Sequence, residues 1–111
     1  MCGIVGLIKN ASVDELQSNV RQMLDSIHHR GPDELGQWCE DGVVFGHTRL
    51  SILDLSPAGS QPMKSSCGRY RIVFNGEIYN WKELREELER ENNPVKWRGH
   101  SDTEVLLAAI G

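Results

Sequence analysis

The stretch Leu35-Gly36-Gln37-Trp38-Cys39-Glu40-Asp41-Gly42-Val43-Val44-Phe45-Gly46-His47-Thr48-Arg49-Leu50 decides the fold class. Its short apolar runs at 35–39 and 43–48 flank Asp41-Gly42, a pair suited to a two-residue hairpin connection. With a further run at 50–53 they read as antiparallel strands. Upstream, Ile4, Val5, Leu7 and Ile8 put apolar groups on both faces of an extended segment, which predicts a first strand covered on two sides. Between these regions Ser12-Val13-Asp14-Glu15 has the form of a capping box. Val13, Leu16, Val20, Met23, Leu24 and Ile27 then recur at helical spacing, and the predicted amphipathic helix runs on to Gly31-Pro32.

Downstream, 56–62 is a loop on composition and 70–74 is the next predicted strand. Asn80-Trp81-Lys82-Glu83 opens a charged helix with Leu84 and Leu88 on one face, and Asn92-Asn93-Pro94 stops it. Ser101-Asp102-Thr103-Glu104 repeats the capping-box pattern ahead of the apolar residues 105–110, which need a surface to pack on. Strands and helices in mixed order indicate an α+β domain.

The size of the chain is consistent with one domain: 111 residues, 39% of them hydrophobic, can close a core without disulfide or metal staples. Twelve basic and sixteen acidic side chains give a net charge of −4, with no extended basic block, which argues against nucleic acid and anionic lipid as partners. No apolar run approaches the ~20 residues of a membrane span, and the N-terminus lacks the marks of a secretory signal, so a cytoplasmic location is expected. Cys2, Cys39 and Cys67 are odd in number and form no C-x-x-C pair, which predicts reduced thiols. His28, His29, His47 and His100 combine with them into no usual zinc spacing, and no phosphate-binding glycine loop is present. Neither a metal nor a nucleotide cofactor is expected in this chain.

Several residues carry possible chemistry. Removal of Met1 would leave Cys2 with a thiol and a free α-amine together, a nucleophile with its own base; the alternative is a small buried cysteine opening a strand. Asn75-Gly76 offers an amide side chain and a backbone N–H that can converge on an oxyanion; the same dipeptide is a strong hairpin signal, although the residues after it leave little room for a return strand. Arg49, a cation in an otherwise apolar run, must be paired either with a ligand carboxylate or with a structural partner. Asp102 is the candidate partner for a ligand amine, or simply the cap of the last helix.

Taken together and in order, six segments resemble one family. They are Met1-Cys2-Gly3-Ile4-Val5-Gly6, His29-Arg30-Gly31-Pro32-Asp33, Gly46-His47-Thr48-Arg49-Leu50-Ser51-Ile52, Gln61-Pro62-Met63, Asn75-Gly76-Glu77-Ile78-Tyr79-Asn80 and Ser101-Asp102-Thr103-Glu104. The chain is similar over essentially its whole length to the N-terminal glutaminase domain of glutamine-hydrolysing asparagine synthases. These belong to the class II, N-terminal-nucleophile amidotransferases. The resemblance implies a four-layer αββα sandwich with two facing antiparallel sheets, of which residues 1–111 are the N-terminal portion. It implies that Cys2 attacks the side-chain amide of L-glutamine and forms a thioester, while its α-amine passes a proton to the departing ammonia. Asn75 and the Gly76 N–H would hold the oxyanion. Arg49 would bind the substrate α-carboxylate and Asp102 its α-amine, with Leu50, Ile52 and Glu77 completing the pocket.

The family's glutaminase domain is nearly twice this long, so the chain looks truncated. The synthetase domain, which by resemblance binds ATP and Mg and activates the acceptor, is expected as a partner beyond residue 111. Without the remaining strands of both sheets, exposed apolar surface is expected on 105–110 and on strand edges. A homodimer is a further assembly compatible with the family. Two alternatives remain open at this point: a paralogue that aminates an acceptor other than aspartate, and a glutamine-binding module without turnover.

Overall fold

The computed structural model describes residues 2–50, 57–91 and 95–111. Its elements are β1 (Gly3–Ile8), α1 (Val13–Ser26), β2 (Glu34–Glu40), β3 (Val43–Arg49), β4 (Met63–Lys64), β5 (Arg71–Ile72), α2 (Trp81–Glu89) and α3 (Asp102–Ile110), with short 3₁₀ turns at His28–Arg30 and Pro57–Gly59. The fold is mixed helix and antiparallel sheet, as expected: β1, β3 and β2 form one sheet in that spatial order, and β4 and β5 form a second.

The Asp41-Gly42 turn closes the β2–β3 hairpin with Glu40 opposite Val43. Gly42 takes φ +75°, a left-handed conformation that a residue with a Cβ adopts only at a cost. On one face of the three-stranded sheet Val44 packs with Leu16, Val20 and Leu24 of α1, joined by Val5, Leu7, Ala11 and Cys39. Each fully buried aliphatic side chain contributes about 1.5–3 kcal/mol from the water it sheds. Ser12 caps α1 as its capping-box pattern predicts, its Oγ accepting the Glu15 N–H at 3.2 Å.

Several expectations are corrected. β1 is not covered on both sides: Ile4 and Ile8 are 47% and 83% exposed, because among the described residues α1 covers one face while 57–75 covers the other face only over β2 and β3. Helix α1 stops at Ser26, short of Gly31-Pro32. From there the Ile27 and Arg30 N–H groups bond three residues back, which tightens the chain into the 3₁₀ turn. Residues 32 and 33 then join the end of β3, with Asp33 N–H donating to the Arg49 carbonyl at 2.9 Å. Of the strand predicted at 70–74 only Arg71–Ile72 pairs, and the predicted strand at 51–53 lies outside the described residues, as does the helix stop at 92–94.

The second sheet crosses the β2 side of the first. The Arg71 guanidinium lies 5.1 Å from the Trp38 ring, which in turn packs on Phe45 at 5.7 Å. Gly36 shows how close this approach is: a Cβ there would collide with the Gln61 carbonyl and stand 3.3 Å from Pro62 Cδ. Helix α3 packs on α2 and buries Val105 and Leu107, so the apolar surface expected along 105–110 is confined to its end, where Ile110 is 57% exposed. Among the described residues no helix is long and apolar enough to cross a membrane.

Candidate active site

Cys2 enters β1 beside the end of β3. Its Sγ accepts the Leu50 N–H at 3.3 Å and lies 3.5 Å from the Leu50 carbonyl, while the next residue, Gly3, donates its N–H to Thr48 Oγ1 at 2.9 Å. The β1–β3 register, with Gly3 opposite Thr48, therefore sets the half-buried thiol next to the backbone that follows Arg49. Arg30 Nε adds a contact to the Cys2 carbonyl at 3.4 Å.

Arg49 closes β3, and its side chain is buried on the face opposite α1. Its Nη1 stands 3.4 Å from Glu34 Oε2, directly across the β2–β3 pair, and 3.4 Å from Ser60 Oγ. These are long for charge-assisted hydrogen bonds, which form best near ~2.8 Å. His47, two residues before Arg49 and so on the same face, is 1% exposed, and among the described residues neither ring nitrogen makes a hydrogen bond of good geometry. Burial pushes its pKa below the usual histidine value; the Arg49 charge acts in the same direction, and the Phe74 backbone and Glu34 oppose it.

Asp102 is not the cap of α3. Ser101 is, with its Oγ accepting the Glu104 N–H at 3.2 Å, and Asp102 is the first helical residue. Buried to 7% exposure, its Oδ2 accepts the Ile78 N–H at 2.9 Å and so holds the chain beside Glu77, whose own side chain is exposed. Glu104 does not close the box back on Ser101. Its carboxylate instead accepts the Arg98 and Gly99 N–H groups at 2.6 and 3.0 Å, which anchors the approach to the helix.

The hairpin reading of Asn75-Gly76 does not hold: residues 73–78 form no strand, and Gly76 is not among the described glycines with positive φ. The turn is instead held at its two ends, by Asp102 on Ile78 and by Gln61, whose Oε1 accepts the Phe74 N–H at 2.6 Å. Cys2 and Leu50 thus touch, and Asp102 is tied to the chain next to Glu77. Among the described residues no hydrogen bond joins Cys2 to Asn75 or Gly76, and Ile52 lies outside them. Sequence reasoning did not foresee Glu34, Ser60, Gln61 or Thr103 at this site. Glu34 alone had a signal, since a cation in an apolar run requires an anion. Among the described residues no three His, Cys, Asp or Glu side chains converge as metal ligands. A shallow depression lined by Lys9, Ala11, Asp41 and Gly42 lies at the opposite end of β1 and β3 from Cys2.

A family profile described as a glutamine amidotransferase domain matches residues 1–111. The chain belongs to the glutamine amidotransferase domain family. Among its relatives, "Asparagine synthetase [glutamine-hydrolyzing] 1" of Bacillus subtilis is 45% identical over 111 residues, covering 97% of this chain and 17% of that protein. "Amidase chry2" of Gibberella zeae is 38% identical, with the same coverage of both chains. "Asparagine synthetase [glutamine-hydrolyzing] 1" of Saccharomyces cerevisiae is 40% identical over 87 residues, covering 78% of this chain and 15% of that protein. The chain therefore spans about a sixth of the length of these curated relatives. In this amidotransferase domain the described residues of the six ordered sequence segments map onto β1, the 3₁₀ turn after α1, the end of β3, the Gln61 loop, the turn before α2 and the start of α3.

Proposed function

We propose that this domain hydrolyses L-glutamine to glutamate and ammonia, with Cys2 as the N-terminal nucleophile after removal of Met1. The observation that carries the reading is the thiol of Cys2 held on the Leu50 backbone, one residue beyond the buried Arg49, in a chain matched end to end by an amidotransferase family. In the proposed reaction the Cys2 α-amine takes the thiol proton as sulfur bonds to the side-chain carbonyl carbon of glutamine, and the π electrons move to oxygen. Asn75 Nδ2 and the Gly76 N–H stabilise that oxyanion. Collapse breaks the C–N bond, and the leaving nitrogen takes the proton from the α-ammonium to depart as ammonia. Water then adds to the thioester, the amine again taking a proton, and collapse returns the thiol and releases glutamate.

Arg49 holds the substrate α-carboxylate in this reading. Its place supports that role: it is buried at the end of β3, one residue before the Leu50 backbone that holds the Cys2 thiol, and a guanidinium presents the planar fork of donors that matches a carboxylate. Asp102 holds the α-amine, and Leu50, Ile52 and Glu77 complete the pocket. The sheet of β4 and β5 over the β2–β3 face, with α1 on the opposite face of the first sheet, supports a four-layer αββα arrangement of which 1–111 is the N-terminal portion.

In the whole protein the ammonia passes to a synthetase domain that activates aspartate, a reading supported by the asparagine synthetases among the relatives. A second reading is an acceptor other than aspartate, since the 38% identical amidase chry2 does not bear the name of an asparagine synthetase. In the full-length protein Cys2→Ala should abolish glutamine-dependent product formation and leave ammonia-dependent formation in place. Equal loss of both rejects the nucleophile, and the mass of the product separates aspartate from other acceptors.

A further inference from the structure

The Gln61-Pro62-Met63 segment has no part in the chemistry set out above, yet Gln61 is among the most constrained polar residues of the domain. It is 8% exposed. Its carbonyl is pressed against Gly36 of β2, so its backbone is seated on the three-stranded sheet. Its side-chain amide then makes two bonds of opposite sense: Oε1 accepts the Phe74 N–H at 2.6 Å, and Nε2 donates to Thr103 Oγ1 at 3.4 Å. Phe74 is the residue immediately before Asn75-Gly76, and Thr103 immediately follows Asp102. Asp102 Oδ2 in turn accepts the Ile78 N–H at 2.9 Å.

We infer that Gln61 is a positioning residue for glutamine hydrolysis, its one amide fixing the oxyanion-binding turn at Asn75-Gly76 relative to the amine-binding start of α3 at Asp102. This rests on the glutaminase reading. The hydrogen bonds close a ring from Gln61 through Phe74, the 75–77 turn, Ile78, Asp102 and Thr103 back to Gln61. Only a side chain that both accepts and donates can satisfy a backbone N–H on one side and leave the Thr103 hydroxyl to accept on the other. Seating the Gln61 backbone on Gly36 refers both ends of the substrate site to β2, which pairs with the strand that carries Arg49. A donor displaced by about 1 Å from its productive position costs roughly 10²-fold in rate, so a ring of this kind has catalytic consequences although Gln61 itself need not touch substrate.

The test uses the full-length protein and L-glutamine. Gln61→Met keeps the length of the side chain and removes both bonds. It should lower kcat for glutamine by about 10- to 100-fold and raise KM, while Cys2 is still alkylated by iodoacetamide at the wild-type rate, because no bond of Gln61 reaches the Cys2 end of the site. Thr103→Val, nearly isosteric, cuts only the link to α3 and should raise KM several-fold, with Thr103→Ser restoring it. Wild-type kcat and KM in Gln61→Met, or a parallel fall in Cys2 alkylation, overturns the inference. If Gln61→Met does not fold, the Thr103 pair decides: a wild-type KM in Thr103→Val overturns the inference, and a raised KM rescued by serine sustains it. Cys2→Ala run alongside separates the two levels. Glutamine hydrolysis surviving in Cys2→Ala rejects the glutaminase reading itself, whereas a dead Cys2→Ala beside an unaltered Gln61→Met rejects only the role of Gln61.

Discussion

Replacing Gly36 with alanine adds one methyl group at the place where the 57–75 segment rests on the sheet. Gly36 does not have a positive φ, so its backbone accepts alanine, and the smaller entropy of the unfolded chain favours the variant by about 0.4–1 kcal/mol. The new Cβ nevertheless collides with the Gln61 carbonyl and comes within 2.9 Å of its carbon and 3.3 Å of Pro62 Cδ. Backbone and a proline ring cannot swing aside as the tip of a long side chain does, so the cost falls near the top of the ~1–3 kcal/mol range for overpacking. The net expectation is a loss of about 2 kcal/mol. With a urea m-value of about 2 kcal/mol/M, the unfolding midpoint falls by about 1 M. Gly6→Ala is the control on the same sheet face: its φ is not positive and its nearest neighbour is Phe45 Cδ1 at 3.5 Å, an ordinary contact, so its midpoint should hold or rise, by up to about 0.5 M. Tryptophan fluorescence reports the transition, since Trp38 lies two residues along β2. Equal midpoints for the two variants would refute the close approach of Gln61 to β2.

Two further outcomes follow from single side chains. Ser101→Ala removes the hydroxyl that accepts the Glu104 N–H and should cost about 1 kcal/mol in urea unfolding, whereas Asn80→Ala, at a helix start where the side chain makes no capping bond, should change stability by less than about 0.5 kcal/mol; a loss of equal size in both would contradict the observed caps. His47 has its pKa lowered by burial, with Arg49 acting in the same direction against Phe74 and Glu34, so the unfolded chain takes up its proton at higher pH than the native one; stability should therefore fall as pH drops below about 6.5 and through the lower native pKa. His47→Leu should flatten that part of a stability-against-pH curve, and an unchanged slope would assign the effect to another group.

The antiparallel sheet order could be approached from the sequence because its signals are local. Asp41-Gly42 between two apolar runs gives the β2–β3 hairpin, and Ser12 and Ser101, each three residues ahead of a glutamate, give the starts of α1 and α3. The same kind of local reading overran at Ile27, whose apolar character continues the helical stripe although the chain must leave the helix to bring Asp33 onto Arg49. It also read 70–74 as a longer strand, because nothing in Val73-Phe74 shows that the Phe74 N–H is taken by a side chain instead of a neighbouring strand. The need for an anion beside Arg49 was legible in its apolar surroundings; that Glu34 supplies it depends on the β2–β3 register.

The order of residues alone determined the class of fold, the helix starts and the set of segments that mark the amidotransferase family, since each depends on neighbours a few positions apart or on motif sequence itself. The tertiary structure alone decided which face of β1 is covered, where Asp102 points and what Gln61 holds together. Those bonds join residues 13, 24 and 42 positions apart, and such pairs form only after intervening loops have closed and packing has brought their elements together. No periodicity in the chain records that outcome.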